Sequence, residues 1–320
     1  MIKPKKILAI SIKLLIGIVS FYIIYTRLNS IPHLKEQFLV WLHEPRIYVV
    51  LAGTLLLMPV NWGIECYKWK IITSTVESIS YGTSVKSIFS GICVGNIAPG
   101  RAMEFLAKIF FFKTENRPVI TVLHFINGMF QMLITVIMGM CAITYKLNQN
   151  SGSSTIVYIM LIGGVLMILF FCLAITHIDF IQNKLKFIKW FKNINESQTV
   201  RLSKPMMARL IFLSVVRYLA FTCQFYLIYH VLSPESLFFQ SFASIAAYFM
   251  FTSLIPMVSV IEPAIRAAIA LFVFNNASDV TVNVVLASTW VWIINVVIPS
   301  LIGYIIILKE KVYFRTSRAH

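Results

Sequence analysis

Apolar residues recur along the chain in runs of a length that crosses a bilayer, and short polar stretches separate them. A helix of about 20 apolar residues spans the hydrocarbon core, and six runs fit that length. Two further apolar segments are interrupted near their middle. The predicted spans lie near Ile7–Tyr25, Ile47–Tyr67, Val119–Ile143, Ile156–Thr176, Met207–Tyr229 and Val282–Leu308, and the interrupted segments are Val85–Phe112 and Phe238–Phe274.

Composition agrees with a membrane protein, because 58% of the 320 residues are hydrophobic and only 12% are charged. The longest polar stretch, residues 177–209, is basic and contains apolar residues, so it predicts a loop and not a soluble domain. We therefore expect one integral membrane domain over residues 1–320. Its predicted fold class is an all-α polytopic protein with six full spans and two broken, re-entrant helical hairpins.

The two interruptions contain the same order of residue types. In each, an apolar half-helix meets a proline, irregular residues follow, and a glutamate opens the second half with a basic residue four positions later. Proline removes an N–H donor and breaks a helix, while a glutamate and a cation four residues apart can pair. The residues are Asn96, Pro99, Gly100, Arg101, Glu104 and Lys108 in the first interruption, and Pro256, Glu262 and Arg266 in the second. Such paired interruptions indicate a binding site between two repeats.

The formal charge of +16 indicates membrane topology and not nucleic-acid binding, because the cations stand beside apolar spans. Lys and Arg flank both ends of the first interrupted segment, whereas residues 230–240 and 275–283 around the second have none. This places the two segments on opposite sides of an inner (plasma) membrane, in inverted halves of about 47–143 and 207–308. The basic loop and both chain termini are predicted to be cytoplasmic.

The charge rule leaves one alternative open for the interrupted segments. Each could cross fully as two short spans, since that arrangement keeps every flanking loop on the same side. We favour re-entrant hairpins, because full crossing would put the motif residues into a loop in contact with water, where the apolar flanks are harder to explain.

Charged residues inside apolar segments are the candidate site. A charge at the bilayer centre costs about 2.5–3.5 kcal/mol and needs a partner or a wet cavity. Arg217 lies in mid-span, and we expect Glu104, Glu262 or a lipid phosphate to pair with it. Glu65 is expected to form only a solvated local pair with Lys68. The predicted cavity residues are Asn96, Pro99, Gly100, Arg101, Glu104, Lys108, Arg217, Gln224, Pro256, Glu262 and Arg266. The alternative is that these charges only fix helix packing.

The pattern from Asn96 to Glu104, the later Pro256 with Glu262 and Arg266, and the span segment 217–226 resemble the transmembrane module of the lysylphosphatidylglycerol synthase/flippase family. The resemblance covers essentially the whole chain. In that family the module moves aminoacylated phospholipid between leaflets, and a separate soluble domain makes the lipid. The resemblance thus implies lipid translocation without lysyl transfer, and aminoacylated phosphatidylglycerol is one candidate cargo.

Two other functions remain open from the sequence. A membrane transferase acting on a lipid-linked substrate could use Glu104 or Glu262 as a base, with Arg217 or Arg266 holding phosphate. No nucleotide-binding glycine loop, metal-binding carboxylate cluster or nucleophile–His–acid set stands out, so we expect no catalytic residue, metal or cofactor.

A non-transporting partner of a lipid-modifying synthase is the third reading. The expected partners are phospholipids in the cavity, anionic lipid heads at the basic loop, and a membrane homo-oligomer or a lipid synthase. No nucleic acid is expected.

Overall fold

The computed structural model describes residue 39 and residues 43–96, 103–149, 155–185, 187, 200–255, 262–274 and 278–310. Within these ranges the secondary structure is helical, and they contain no strand. The helices are α1 (Pro45–Thr73), α2 (Tyr81–Gly95), α3 (Glu104–Ile109), α4 (Arg117–Gln149), α5 (Thr155–Thr176), α6 (Ile178–Leu185), α7 (Lys204–Leu232), α8 (Phe238–Leu254), α9 (Glu262–Phe274), α10 (Ser278–Trp292) and α11 (Ile298–Lys309), with a 3₁₀ turn at Thr114–Asn116 and a π turn at Ile293–Val297.

Five helical stretches are long and apolar enough to cross a membrane, so the chain is a multi-span helical membrane protein. They correspond to five of the six predicted full spans. The predicted span Ile7–Tyr25 lies outside the described residues. The stretches are Pro45–Thr73, Thr114–Asn148, Val157–Thr176, Lys204–Leu232 and Val282–Lys309.

The interrupted segments form two pairs of short helices, α2 with α3 and α8 with α9. The four helices have 15, 6, 17 and 13 residues. At about 1.5 Å per residue, none of them reaches the roughly 30 Å thickness of a hydrocarbon core. Glu104 and Glu262 are the first residues of α3 and α9, as the sequence predicts. Pro99, Gly100, Arg101 and Pro256 lie outside the described residues.

Two glycines let α3 lie directly against α2. A Cβ atom added to Gly95 would stand 2.9 Å from Glu104 Cβ, and one added to Gly91 would stand 2.7 Å from Lys108 Cγ. Small residues four apart allow helix backbones to approach closely in membrane proteins. The Gly91 and Gly95 pair therefore sets the position of the Glu104 and Lys108 pair.

Hydrogen bonds join the two ends of each helix pair. Glu77, which precedes α2, accepts from the backbone N–H of Lys113 at 3.2 Å and from the Asn116 side chain at 2.8 Å. Asn283 of α10 donates to the Leu232 carbonyl at the end of α7 at 2.6 Å. The chain thus enters and leaves each pair at one end of the bundle, so α2–α3 and α8–α9 are hairpins.

The two hairpins open at opposite ends of α4. This helix begins at the 3₁₀ turn containing Asn116, beside the open end of the α2–α3 hairpin. Near its other end, the Lys146 ammonium donates to the Val273 carbonyl at the end of α9 at 2.8 Å. At the end of α11, the Glu310 carboxylate lies 2.5 Å from Lys86 near the start of α2. The span from α10 to α11 therefore runs opposite to α4.

Two apolar clusters form the core of the described residues, and α4 and α7 contribute to both. One surrounds Trp69 and Phe130, between α1, α2 and α4. The other surrounds Phe225 and Tyr248, between α7, α8, α9 and α10. Within the predicted loop 177–209, α6 covers Ile178–Leu185 and α7 begins at Lys204. Helix α5 exposes large apolar side chains along one face, as a lipid-facing span does.

Candidate functional site: a charged cavity between the hairpins

A cavity of about 780 Å³ lies where the two hairpins meet α1, α4 and α7. Its walls contain both predicted Glu–cation pairs and the mid-span arginine. Charges inside a membrane protein commonly face such a cavity and pair there with one another. The charged residues of its wall are Glu65, Glu104, Lys108, Arg217, Glu262 and Arg266.

Each hairpin contributes one ion pair along a helix face. Lys108 Nζ lies 2.6 Å from Glu104 Oε1, and Arg266 Nη2 lies 2.8 Å from Glu262 Oε1. The pairing predicted from the four-residue spacing is confirmed in both hairpins. Lys108 is 2% exposed and Glu262 is 4% exposed. Water therefore cannot compensate either charge well if its partner is removed.

Lys108 has two further neighbours besides Glu104. Its ammonium lies 3.3 Å from His124 Nδ1 and 5.4 Å from the centre of the Trp69 ring. An aromatic face attracts a cation through its quadrupole. Sequence reasoning gave His124 no role, because a single histidine in an apolar span has no spacing pattern that marks it.

Glu65 is the centre of a third charged group, which joins α1 to α7. Its Oε2 atom lies 3.2 Å from Arg217 Nη1 and 3.5 Å from Lys68 Nζ. Its Oε1 atom accepts a 2.7 Å hydrogen bond from the Asn127 side chain of α4. One carboxylate thus serves two cations, and a donor from a third helix fixes its orientation.

Two expectations about these charges are wrong. The partner of Arg217 is Glu65 and not Glu104 or Glu262, because the hairpin glutamates are held by cations on their own helices. Glu65 does pair with Lys68, but the pair is not solvated, since Lys68 is 0% exposed and Glu65 is 8% exposed. The packing of α1 against α7 buries both residues and brings Arg217 to them.

A chain of amides continues from Arg217 to the far side of the bundle. Arg217 Nε donates to Asn61 Oδ1 at 3.0 Å, and Asn61 Nδ2 donates to Asn295 Oδ1 at 2.6 Å. Asn295 in turn donates to Gln224 Oε1 at 2.9 Å, and Gln224 donates to the Thr54 carbonyl at 2.9 Å. These bonds connect α1, α7 and the π turn through polar groups that the bilayer could not satisfy.

The π turn that presents Asn295 has a local cause. Pro299 stands four residues after Asn295 and has no N–H to donate to the Asn295 carbonyl. The helix widens into a π turn at Ile293–Val297, just before this proline. Insertions of this kind often occur at functional sites. Sequence reasoning missed Asn295; an asparagine followed by a proline at this spacing in an apolar run was the available signal.

One kind of polar contact occurs twice in the bundle. Asn127 of α4 donates to Glu65 of α1, and Asn295 of the π turn donates to Gln224 of α7. Helices α1 and α7 have 29 residues each, and Glu65 and Gln224 stand at the same distance in residues from their starts. Helix α1 has a carboxylate at this position and α7 a neutral amide.

Not every predicted site residue faces the cavity. Asn96, at the end of α2, donates to the Ser300 hydroxyl of α11, so it ties the first hairpin to the last helix. Gln224 belongs to the amide chain behind the cavity wall. Four predicted residues lie outside the described ranges: Pro99, Gly100, Arg101 and Pro256.

Two buried polar atoms of the cavity wall have no hydrogen-bond partner within the described part of the chain. They are the indole Nε1 of Trp62 and the amide Oδ1 of Asn127. Trp62 is 5% exposed and Asn127 is 2% exposed. An unmade hydrogen bond at a buried atom costs about 1–3 kcal/mol. These two enclosed atoms therefore add a cost of that order to the cavity wall.

The charge around the cavity is not balanced among the described residues. The wall contains three carboxylates and three cations, and Lys68 behind Glu65 adds a fourth cation. This arrangement favours an anionic group in the cavity.

Comparisons with protein families, with curated proteins and with solved structures find no match to this chain.

Proposed function

We propose that this protein translocates a phospholipid or a lipid-linked headgroup between the leaflets of the membrane, with the headgroup passing through the charged cavity. The observation that carries the proposal is the convergence of both hairpin ion pairs and the Glu65–Arg217 pair on one cavity. Six charges inside a membrane bundle are expensive. Binding a lipid headgroup, which needs charged contacts away from water, would explain why these six charges are present.

The chemistry of the cavity wall supports an anionic headgroup that also has a hydrogen-bond donor. Arg217 suits a phosphate because its guanidinium can bind two oxygens at once. The carboxylates of Glu104 and Glu262 in the wall are acceptors for a hydroxyl or ammonium donor. Aminoacylated phosphatidylglycerol has both kinds of group and is one candidate cargo.

In this proposal the hairpins are re-entrant and belong to inverted repeats. The shortness of α2, α3, α8 and α9 supports this arrangement, as does the opening of the hairpins at opposite ends of α4. The distribution of Lys and Arg supports a cytoplasmic position for the first opening. A site between inverted repeats can face either side in turn as one half rocks against the other.

In the proposed loading step, Arg217 exchanges part of its contact with Glu65 for a contact with the lipid phosphate. Without cargo, Glu65 is shared by Lys68 and Arg217. An arriving phosphate takes over part of the Arg217 guanidinium, and Lys68 still compensates the carboxylate. The cavity therefore accepts a negative charge without leaving Glu65 unpaired, which limits the desolvation cost of loading.

The test is lipid exchange in liposomes that contain a fluorescent phospholipid. A membrane-impermeant quencher reports how fast inner-leaflet label reaches the outer leaflet. We expect the wild-type protein to accelerate this exchange, and Glu104→Gln and Glu262→Gln to lose the acceleration, since each leaves a hairpin cation without its carboxylate. Glu44→Gln is the matched control, because Glu44 pairs with Arg46 in an exposed position.

The lipid composition decides which conclusion follows. Liposomes of zwitterionic, anionic and aminoacylated lipids are compared with empty liposomes of the same composition. If the folded wild-type protein exchanges none of these lipids faster than the empty liposomes, translocation is refuted. Full activity in both glutamate variants would instead refute the role of the cavity charges.

A further inference from the structure

An apolar groove lies beside the charged cavity, on the second hairpin. Its volume is about 390 Å³, and α8 and α9 form its walls. Ile255, at the end of α8, lines both the groove and the charged cavity. The two spaces therefore meet at one residue. The remaining lining residues are Phe251, Ala264, Ile265, Ala268, Ile269 and Phe272.

Helix α9 explains why a polar and an apolar space adjoin. Glu262 and Arg266 stand four residues apart on the stripe that faces the cavity. Ile265, Ala268 and Phe272 follow one another at spacings of three and four, so they form a second stripe next to the first. Around the axis of α9, the ion pair and the apolar stripe are therefore separated by about a quarter to a third of a turn.

We infer that this groove holds one acyl chain of the lipid whose headgroup occupies the charged cavity. The inference rests on the proposed function and specifies its cargo as an amphiphile that keeps its tail in contact with the second hairpin. Adjacency at Ile255 favours this occupant, because a molecule that fills both neighbouring spaces must be charged at one end and apolar at the other. Free phosphate or a soluble headgroup would leave the groove empty.

Exposure along the groove indicates where the tail enters. Phe272 is 70% exposed and Ile255 is 42% exposed, and the apolar side of the groove is open to the surroundings of the bundle. In a bilayer these surroundings are lipid tails, so an acyl chain reaches the groove without crossing water. The headgroup then moves into the cavity while the tail stays in an apolar environment throughout.

The test uses a two-chain phosphatidylglycerol with a diazirine near the end of one acyl chain, mixed into liposomes that contain the full-length protein. Illumination cross-links the chain to the residues that hold it, and mass spectrometry locates the modified peptide. We expect labelling of residues 262–274. Ala268→Trp fills the groove at an exposed position, and Ala52→Trp makes the same change on an exposed face of α1.

Ala268→Trp should lower labelling of residues 262–274 by roughly tenfold, the factor given by displacing about two buried methylene groups, while Ala52→Trp should leave it unchanged. Equal labelling in both variants, or no labelling of residues 262–274 in the wild type, would overturn the inference. Translocation is measured on the same samples. Normal translocation without groove labelling refutes the groove alone, whereas groove labelling without translocation by any variant supports a lipid site and refutes the transport function.

Discussion

Replacing Glu65 with glutamine tests the charged centre of the bundle. The substitution keeps the size of the side chain but removes the negative charge from two cations, Lys68 at 3.5 Å and Arg217 at 3.2 Å. Lys68 is 0% exposed, and the Arg217 side chain is 15% exposed, so water compensates neither charge well. Breaking a buried ion pair from one side costs about 3–5 kcal/mol, and we expect a loss of that size in the free energy of unfolding.

Two comparison variants separate charge burial from the loss of a contact. Lys68→Met leaves Glu65 paired with Arg217, so its loss should be clearly smaller than that of Glu65→Gln. Glu44→Gln removes a carboxylate from Arg46 at 3.8 Å, where the two side chains are 47% and 87% exposed. Exposed pairs contribute about 0–1 kcal/mol, and this variant should unfold close to the wild type.

The assay is unfolding in mixed micelles by increasing SDS, followed by tryptophan fluorescence. The expected order of destabilisation is Glu65→Gln, then Lys68→Met, then Glu44→Gln. If Glu65→Gln lies within about 1 kcal/mol of Glu44→Gln, which is the range of an exposed pair, then Glu65 is not enclosed between two cations and the reasoning fails. A larger loss for Lys68→Met than for Glu65→Gln would refute the sharing of one carboxylate.

Two further predictions concern the packing that positions the cavity, and the same unfolding assay measures them. Gly303→Ala places a Cβ against the Phe89 carbonyl of α2 and should cost about 1–3 kcal/mol of stability by overpacking. Gly53→Ala is the control: its Cβ would meet nothing within 4 Å, so it should stabilise the protein by up to about 1 kcal/mol. Equal stabilities of the two variants would contradict the close contact of α11 with α2. Asn283→Ala removes the hydrogen bond to the Leu232 carbonyl and should cost about 1 kcal/mol, and an unchanged stability would show that this bond does not close the second hairpin.

Hydropathy predicts the long helices well because a bilayer imposes one length on every span. The same length criterion distinguishes the interrupted segments from the full spans. The first residues of α3 and α9, Glu104 and Glu262, are predicted by the sequence motifs. The second interrupted segment has its predicted bounds, because α8 begins at Phe238 and α9 ends at Phe274. Helix α2 begins at Tyr81, before the predicted Val85, because Ser80 accepts a hydrogen bond from Thr83 and caps the helix there.

The partners of the mid-bundle charges could not be predicted in the same way. Helical spacing reveals pairs four residues apart, such as Glu104 with Lys108, because both members lie on one helix. Glu65 and Arg217 meet only because α1 packs against α7, and no local pattern encodes that contact. The sequence therefore predicted the hairpin pairs correctly. The two glutamates suggested as partners of Arg217 were wrong, and the lipid phosphate suggested beside them stays a prediction.

A leucine side chain placed inside the cavity tests directly whether lipid passes through it. Gly128 lines the cavity on α4, and Gly163 lies exposed on α5; a Cβ at either position would meet nothing within 4 Å. The measurement is the rate of phospholipid exchange between leaflets in liposomes containing Gly128→Leu or Gly163→Leu. We expect Gly128→Leu to slow exchange to the rate of empty liposomes, while Gly163→Leu keeps the wild-type rate. Wild-type exchange by Gly128→Leu would contradict passage of the lipid through the cavity.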